Sequence, residues 1–123
     1  MTDVLLRWKM PWPRKELSPN ARVHFRAKAA EAKIYRENAY WSLKDGGPWE
    51  ADGPIMVTLR FFPPDQRKRD LDNMFASVKS ALDGIADALE VNDQRFAFTI
   101  TREAAKPPAG IVEVTLEPMV PKP

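Results

Sequence analysis

PIMVTLRFF, residues 54–62, sets Ile55, Val57, Leu59 and Phe61 in alternation with Met56, Thr58, Arg60 and Phe62. Successive side chains leave a strand on opposite sides, so this alternation predicts a strand with one buried face. Pro63 and Pro64 close it. Directly downstream the period changes. Leu71, Phe75, Val78, Leu82 and Ile85 recur at steps of four, three, four and three, which predicts one amphipathic helix. Asp70 or Asp72 stands where an N-cap belongs, and Gly84 stands where the helix is expected to end. A strand followed by such a helix sets a mixed α and β architecture.

Working outward, VLLRWKM (residues 4–10) reads as a strand stopped by PWP, and RKELSPNARVHF (residues 14–25) as a polar loop. From Arg26 to Leu43 the chain lacks Gly and Pro and is rich in Ala, Glu, Lys and Arg, which permits a helix. Its apolar residues Ala30, Ile34, Ala39 and Trp41 give no clean stripe, and Gly46, Gly47 and Pro48 end it. RFAFTITRE (residues 95–103) and IVEVTLE (residues 111–117) read as two strands joined by AAKPPAG, with an antiparallel hairpin as the economical pairing. The order β-α-β-α-β-β predicts the α+β class: one small domain with a mixed or antiparallel sheet and helices packed on it. Residues 118–123 read as a flexible proline-rich tail.

The chain has 123 residues, enough for one core. Without cysteine it has no disulfide, thiolate metal site or cysteine nucleophile. It carries no apolar run of membrane-spanning length, and MTDVLLRWKMPWP lacks a signal-peptide layout, so a soluble cytoplasmic protein is expected. Residues 1–44 hold ten Lys/Arg against four Asp/Glu, whereas the remainder holds nine against thirteen. A basic portion beside a more acidic one suits a phosphate-tracking surface next to a carboxylate site.

That pairing recurs locally in RKRDLDN, residues 67–73, where Arg67, Lys68 and Arg69 precede Asp70 and Asp72. If Leu71 is extended, both carboxylates face one direction at a helix entrance. They would then offer hard oxygen ligands to a magnesium ion that keeps waters and a substrate phosphate. Asp93, in the polar turn before the next strand, is the most attractive third ligand, with Asp87 and Glu90 as alternatives. The competing reading is plain helix capping beside solvated cations.

RKRDLDNMFASVKSALDGIADALEVNDQRF, residues 67–96, closely resembles the signature of RusA-like Holliday junction resolvases. PWPRKELSPNARVHFRAKAAEAKIYRENA (residues 11–39) resembles their N-terminal segment, and PIMVTLRFFPPDQRKRD fits between the two. The resemblance spans roughly residues 8–117 and makes residues 1–117 the endonuclease domain. It implies a homodimeric, Mg²⁺-dependent endonuclease (Mn²⁺ being the other candidate ion) that nicks opposing strands of a four-way DNA junction. Asp70, Asp72 and Asp93 take the positions of the family's catalytic, metal-binding aspartates. The family commonly places a catalytic lysine four residues after the second aspartate; Ala76 stands there instead. Lys79, seven residues beyond Asp72, returns to nearly the same face of a continuous helix and is the candidate substitute. The rival expectations are a junction-binding protein of the same fold with weakened cleavage, and an unrelated α+β interaction module with a capped helix.

In the DNA reading, Arg67, Lys68 and Arg69 contact backbone phosphate, and Arg14, Lys15, Arg22, Arg26 and Lys28 extend that surface. Phe25 is expected to fold onto its own core rather than wedge against a base. Trp8, Trp12, Trp41 and Trp49 are expected to pack structurally.

Overall fold

The computed structural model describes residues 6–104 and 110–119. It has the α+β class and a mixed sheet. Four strands, β1 (Leu6–Pro11), β2 (Ile55–Phe62), β3 (Phe96–Arg102) and β4 (Ile111–Pro118), form the order β1-β4-β2-β3. Three α-helices accompany them: α1 (Phe25–Leu43), α2 (Leu71–Ser77) and α3 (Lys79–Leu89). The described residues fall into two compact units. One contains the strands (residues 6–12, 50–67, 94–104 and 110–119), and the other contains the helices (residues 13–49 and 68–93).

In the sheet unit, the alternation of β2 is realised in full. Ile55, Val57, Leu59 and Phe61 are completely buried, while the four residues between them are half-exposed. Val112, Val114 and Leu116 repeat the pattern on β4, and Met10 supplies β1. Each such side chain contributes roughly 1.5–3 kcal/mol by leaving water. Trp12 meets Phe61 edge-on, with ring centroids 6.0 Å apart. The other face carries polar partners: Arg60 pairs with Glu103 on one side and with Glu113 on the other.

The expected hairpin between the last two strands does not form. β4 runs antiparallel to both β1 and β2 and lies between them, while β3 pairs in parallel with the far side of β2. Sequence adjacency favours a hairpin, but burial decides otherwise. β4 offers three nearly dry apolar side chains to a central position, whereas β3 leaves Phe98 and Thr99 exposed at an edge. Parallel pairing of β2 with β3 in turn needs a long connection, which contains α2 and α3. Gly110 sets the entrance to β4. Its N–H donates to the Phe62 carbonyl at 2.8 Å and its carbonyl accepts from Trp12 N–H at 3.1 Å, at a φ of 77°. A side chain would strain that left-handed conformation.

In the helical unit, α1 packs along α3. Tyr35 and Ala39 are the buried residues of α1; Ala81, Ile85 and Leu89 are among those of α3. Gly84 does not end a helix. It sits inside α3, where an added Cβ would overlap the Arg36 carbonyl oxygen of α1, so glycine permits the close approach. The helix instead ends at Glu90, which adopts a left-handed conformation (φ 56°). Val91 N–H reaches the Ala86 carbonyl and Glu90 N–H the Asp87 carbonyl, a Schellman closure built on a non-glycine residue.

The single helix expected from Leu71 to Ile85 is interrupted. Val78 leaves helical geometry (φ −102°, ψ 5°), dividing α2 from α3. At the residue just before it, the Ser77 hydroxyl donates to the Asn73 carbonyl one turn back, at 2.8 Å. Such back-bonding competes for a main-chain acceptor and bends helices, and β-branched Val78 follows it. Trp49 is buried as expected, whereas Trp41 is 63% and Phe25 70% exposed, contrary to the packing expected of both. Residues 120–123 of the expected tail lie outside the described residues.

Candidate functional site

The entrance of α2 holds the first two candidate carboxylates. Asp70 is the N-cap: its backbone is extended (φ −73°, ψ 128°), and its Oδ1 accepts from Asp72 N–H at 3.1 Å. Asp72 occupies the first helical turn, where the unpaired N–H groups favour a negative charge. Both are exposed, and neither forms an ion pair among the described residues. The capping reading is therefore correct for Asp70. It occupies one carboxylate oxygen and does not withdraw the group from solvent.

Asp93 opens a short 3-10 turn, Asp93–Arg95, and is also exposed and outside any ion pair among the described residues. Of the alternatives, Asp87 is engaged: Arg36 Nε and Nη2 donate to its Oδ2 at 3.0 and 2.6 Å. Glu90 serves in the helix stop. Among the described residues, no three His, Asp or Glu side chains gather in a group that could hold a metal ion. The donor chemistry nevertheless suits magnesium. Asp70 and Asp72 are hard oxygen donors open to water, and the ion needs only one or two carboxylates beside waters and phosphate.

Lys79 is exposed and is the first residue of α3. The break at Val78 means that its position relative to Asp72 is not set by continuous winding of one helix. Ala76 lies within α2 and is half-buried.

The cations differ in their local commitments. Arg67 folds back on Asp65, with Nη2 3.2 Å from Oδ2, and is largely exposed. Lys68 is exposed and Arg69 half-exposed. Arg14 pairs with Glu31 at 3.1 Å, and the Lys28 ammonium donates to the Ser18 carbonyl at 3.3 Å. Lys15 and Arg22 are exposed, and Arg26 lies 5.9 Å from the centre of the Phe25 ring. Phe25 also stacks on His24 at 4.6 Å, and His24 Nδ1 caps α1 by accepting from Arg26 N–H. Sequence reasoning missed this cap, although a histidine directly before a Gly- and Pro-free run was its visible signal.

No family model matches the chain. An uncharacterized protein of Xylella fastidiosa (strain Temecula1) is 40% identical over 114 residues, covering 87% of this chain and 72% of that protein. The chain belongs to the same family as that protein. Among the described residues, no helix is long and apolar enough to cross a membrane.

Proposed function

We propose that this protein is a metal-dependent endonuclease of the RusA-like resolvase type, cutting four-way and related branched DNA by hydrolysis. The observation that carries the reading is the entrance of α2. Asp70 and Asp72 are exposed there and unpaired with any cation among the described residues, immediately after the run Arg67, Lys68 and Arg69. Capping uses one oxygen of Asp70 and the first turn favours the charge of Asp72, yet neither role withdraws the two carboxylates from solvent. The resemblance over residues 67–96 supports the same assignment.

In this reading Asp70 and Asp72 hold Mg²⁺, or Mn²⁺ in its place, and Asp93 is the third ligand. Bound Mg²⁺ supplies Lewis acidity and charge neutralisation toward the scissile phosphodiester. Arg67, Lys68 and Arg69 hold backbone phosphate without reading sequence, and Lys15, Arg22 and Arg26 extend the track. Arg14 and Lys28 reach DNA only by exchanging their present partners. Lys79 is the cation offered in place of the family lysine. The protein acts as a homodimer in the cytoplasm, two sites matching a two-fold symmetric junction.

The test is nicking of a synthetic four-way junction with and without Mg²⁺. Asp70→Asn, which retains capping ability, is expected to abolish nicking and leave junction binding intact. Tight binding without nicking in the unaltered protein, across Mg²⁺ and Mn²⁺ concentrations, would overturn the enzyme reading. It would favour a junction-binding protein, the second reading, for which Ala76 and the lack of a gathered acidic trio among the described residues speak. Ala76→Lys then distinguishes an electrostatically incomplete site, which gains cleavage, from one lacking metal altogether.

A further inference from the structure

The two edges of the sheet are guarded differently. An edge strand offers main-chain N–H and C=O groups to any strand that approaches, and charged side chains or proline discourage such pairing. β1 is guarded: Arg7 and Lys9 are exposed along it, and Pro11 closes it without an N–H to donate. β3, at the opposite edge, has no proline, glycine or lysine, and its only charge is Arg102 at the last position. The rest of it is mostly aromatic and β-branched. Phe98 is 38% exposed, and Thr99 is exposed beside it.

The pattern of β3 matches a second β3. Glu103 N–H donates to the Phe61 carbonyl of β2, and successive residues turn their main-chain groups to opposite edges of a strand. Phe96 and Ile100 therefore turn theirs away from β2, on the side where no other described strand pairs. Two such strands can meet antiparallel about a two-fold axis. With the axis at Thr99, all seven residues of β3 are paired: Thr99 faces Thr99, Phe98 faces Ile100, Ala97 faces Thr101 and Phe96 faces Arg102. Just beyond each end Arg95 faces Glu103, so opposite charges meet twice. Moving the axis to Phe98 sets Asp93 against Glu103, and moving it to Ile100 sets Glu103 against Ala97; each shortens the overlap by two residues. The matched charges at both ends single out a second copy rather than an unrelated strand.

We propose that β3 is the self-association edge of this protein. It pairs antiparallel with β3 of a second copy about a two-fold axis at Thr99 and joins the two four-stranded sheets into one. The inference names the interface of the homodimer in the reading above and uses none of its DNA or metal chemistry.

The measurement is sedimentation velocity of the full chain over a concentration series, without DNA or metal. A dimer is expected. Thr99→Lys and Thr99→Glu set like charges across the axis at an exposed position, and each is expected to weaken association about five-fold or more. Mixing the two variants should restore it, because Lys then faces Glu, and the recovery shows that both variants fold. The chain has no cysteine, so Thr99→Cys supplies one thiol per copy, and oxidised glutathione is expected to link two copies through it. Lys9→Cys, on the guarded edge, should stay unlinked. A monomer at every concentration, a dimer indifferent to all three Thr99 substitutions, or equal linking of the two cysteine variants would overturn the inference. So would loss of the dimer in both charged variants without recovery on mixing. Junction nicking in Mg²⁺ is scored separately. A Thr99-dependent dimer that does not nick sinks only the endonuclease reading, and nicking by a dimer indifferent to Thr99 sinks only this interface.

Discussion

α2 and α3 come from one amphipathic stretch of sequence and have divergent roles. α3 buries seven of its residues and packs along α1 closely enough to require Gly84. α2 is seven residues long, buries only Met74 and Ser77, and turns Asp70 and Asp72 toward water at its start. Only one residue, Val78, separates a helix belonging to the core from a turn that presents charge. The lesson is that a clean apolar stripe specifies a buried side and leaves continuity of the backbone unspecified. A serine hydroxyl competing for one carbonyl is worth a fraction of a kcal/mol, yet it acts where a β-branched residue already disfavours the helix.

Substitutions at four positions probe this contrast, the largest effect first. Gly84→Val places a branched side chain against the Arg36 carbonyl, so a loss of about 3 kcal/mol or more is expected, read as a large fall in Tm. A near-unchanged Tm would mean that α1 and α3 are not held at this distance. Asp70→Ala is expected to cost about 1 kcal/mol through the lost cap, whereas Asp70→Asn should cost much less. Chemical denaturation compares the two, and equal losses would show that the charge, not the cap, stabilises α2. Glu90→Gly relieves a left-handed residue at the end of α3 and should raise stability by about 1 kcal/mol. A fall in stability would assign the Glu90 side chain a role beyond the turn. Ser77→Ala is the smallest, under about 0.5 kcal/mol, and straightening of α2 into α3 would appear as increased helical circular dichroism.

A pH scan isolates the core of the helical unit. Burial raises the Tyr35 phenol above its ordinary value of about 10, so the folded state holds that proton where the unfolded chain releases it. The stabilisation is whole below pH about 10 and is lost progressively above it. Tyr35→Phe should flatten this alkaline fall, and an unchanged slope would place the titrating group elsewhere.

Much of this was legible from particular residues. The alternation of Ile55 to Phe62 specified β2 and its buried side, because a period of two has no other economical reading in a run this short. Asp70 as a cap was legible from its position before the apolar stripe. Exposure of Trp41 was not: a tryptophan in a helix with no clean stripe says little about which side faces water. Nor did Glu90 announce a helix end, since left-handed glutamate is held by main-chain bonds rather than by its own preference. Asp87 looked like a ligand until Arg36, 51 positions away, claimed its carboxylate.

By itself, then, the sequence determined which segments are strands and helices, which side of β2 is buried, and where acids and cations meet, since these follow from local periodicity and composition. The tertiary structure alone decided that β4 lies between β1 and β2 while β3 takes the edge beyond β2, because a central place in the sheet goes to the strand that can bury the most apolar surface. It also decided that Gly84 is a contact instead of a stop, that Asp87 is engaged while Asp70 and Asp72 stay open to water, and that Trp41 faces solvent. Each depends on which distant residue arrives as a neighbour.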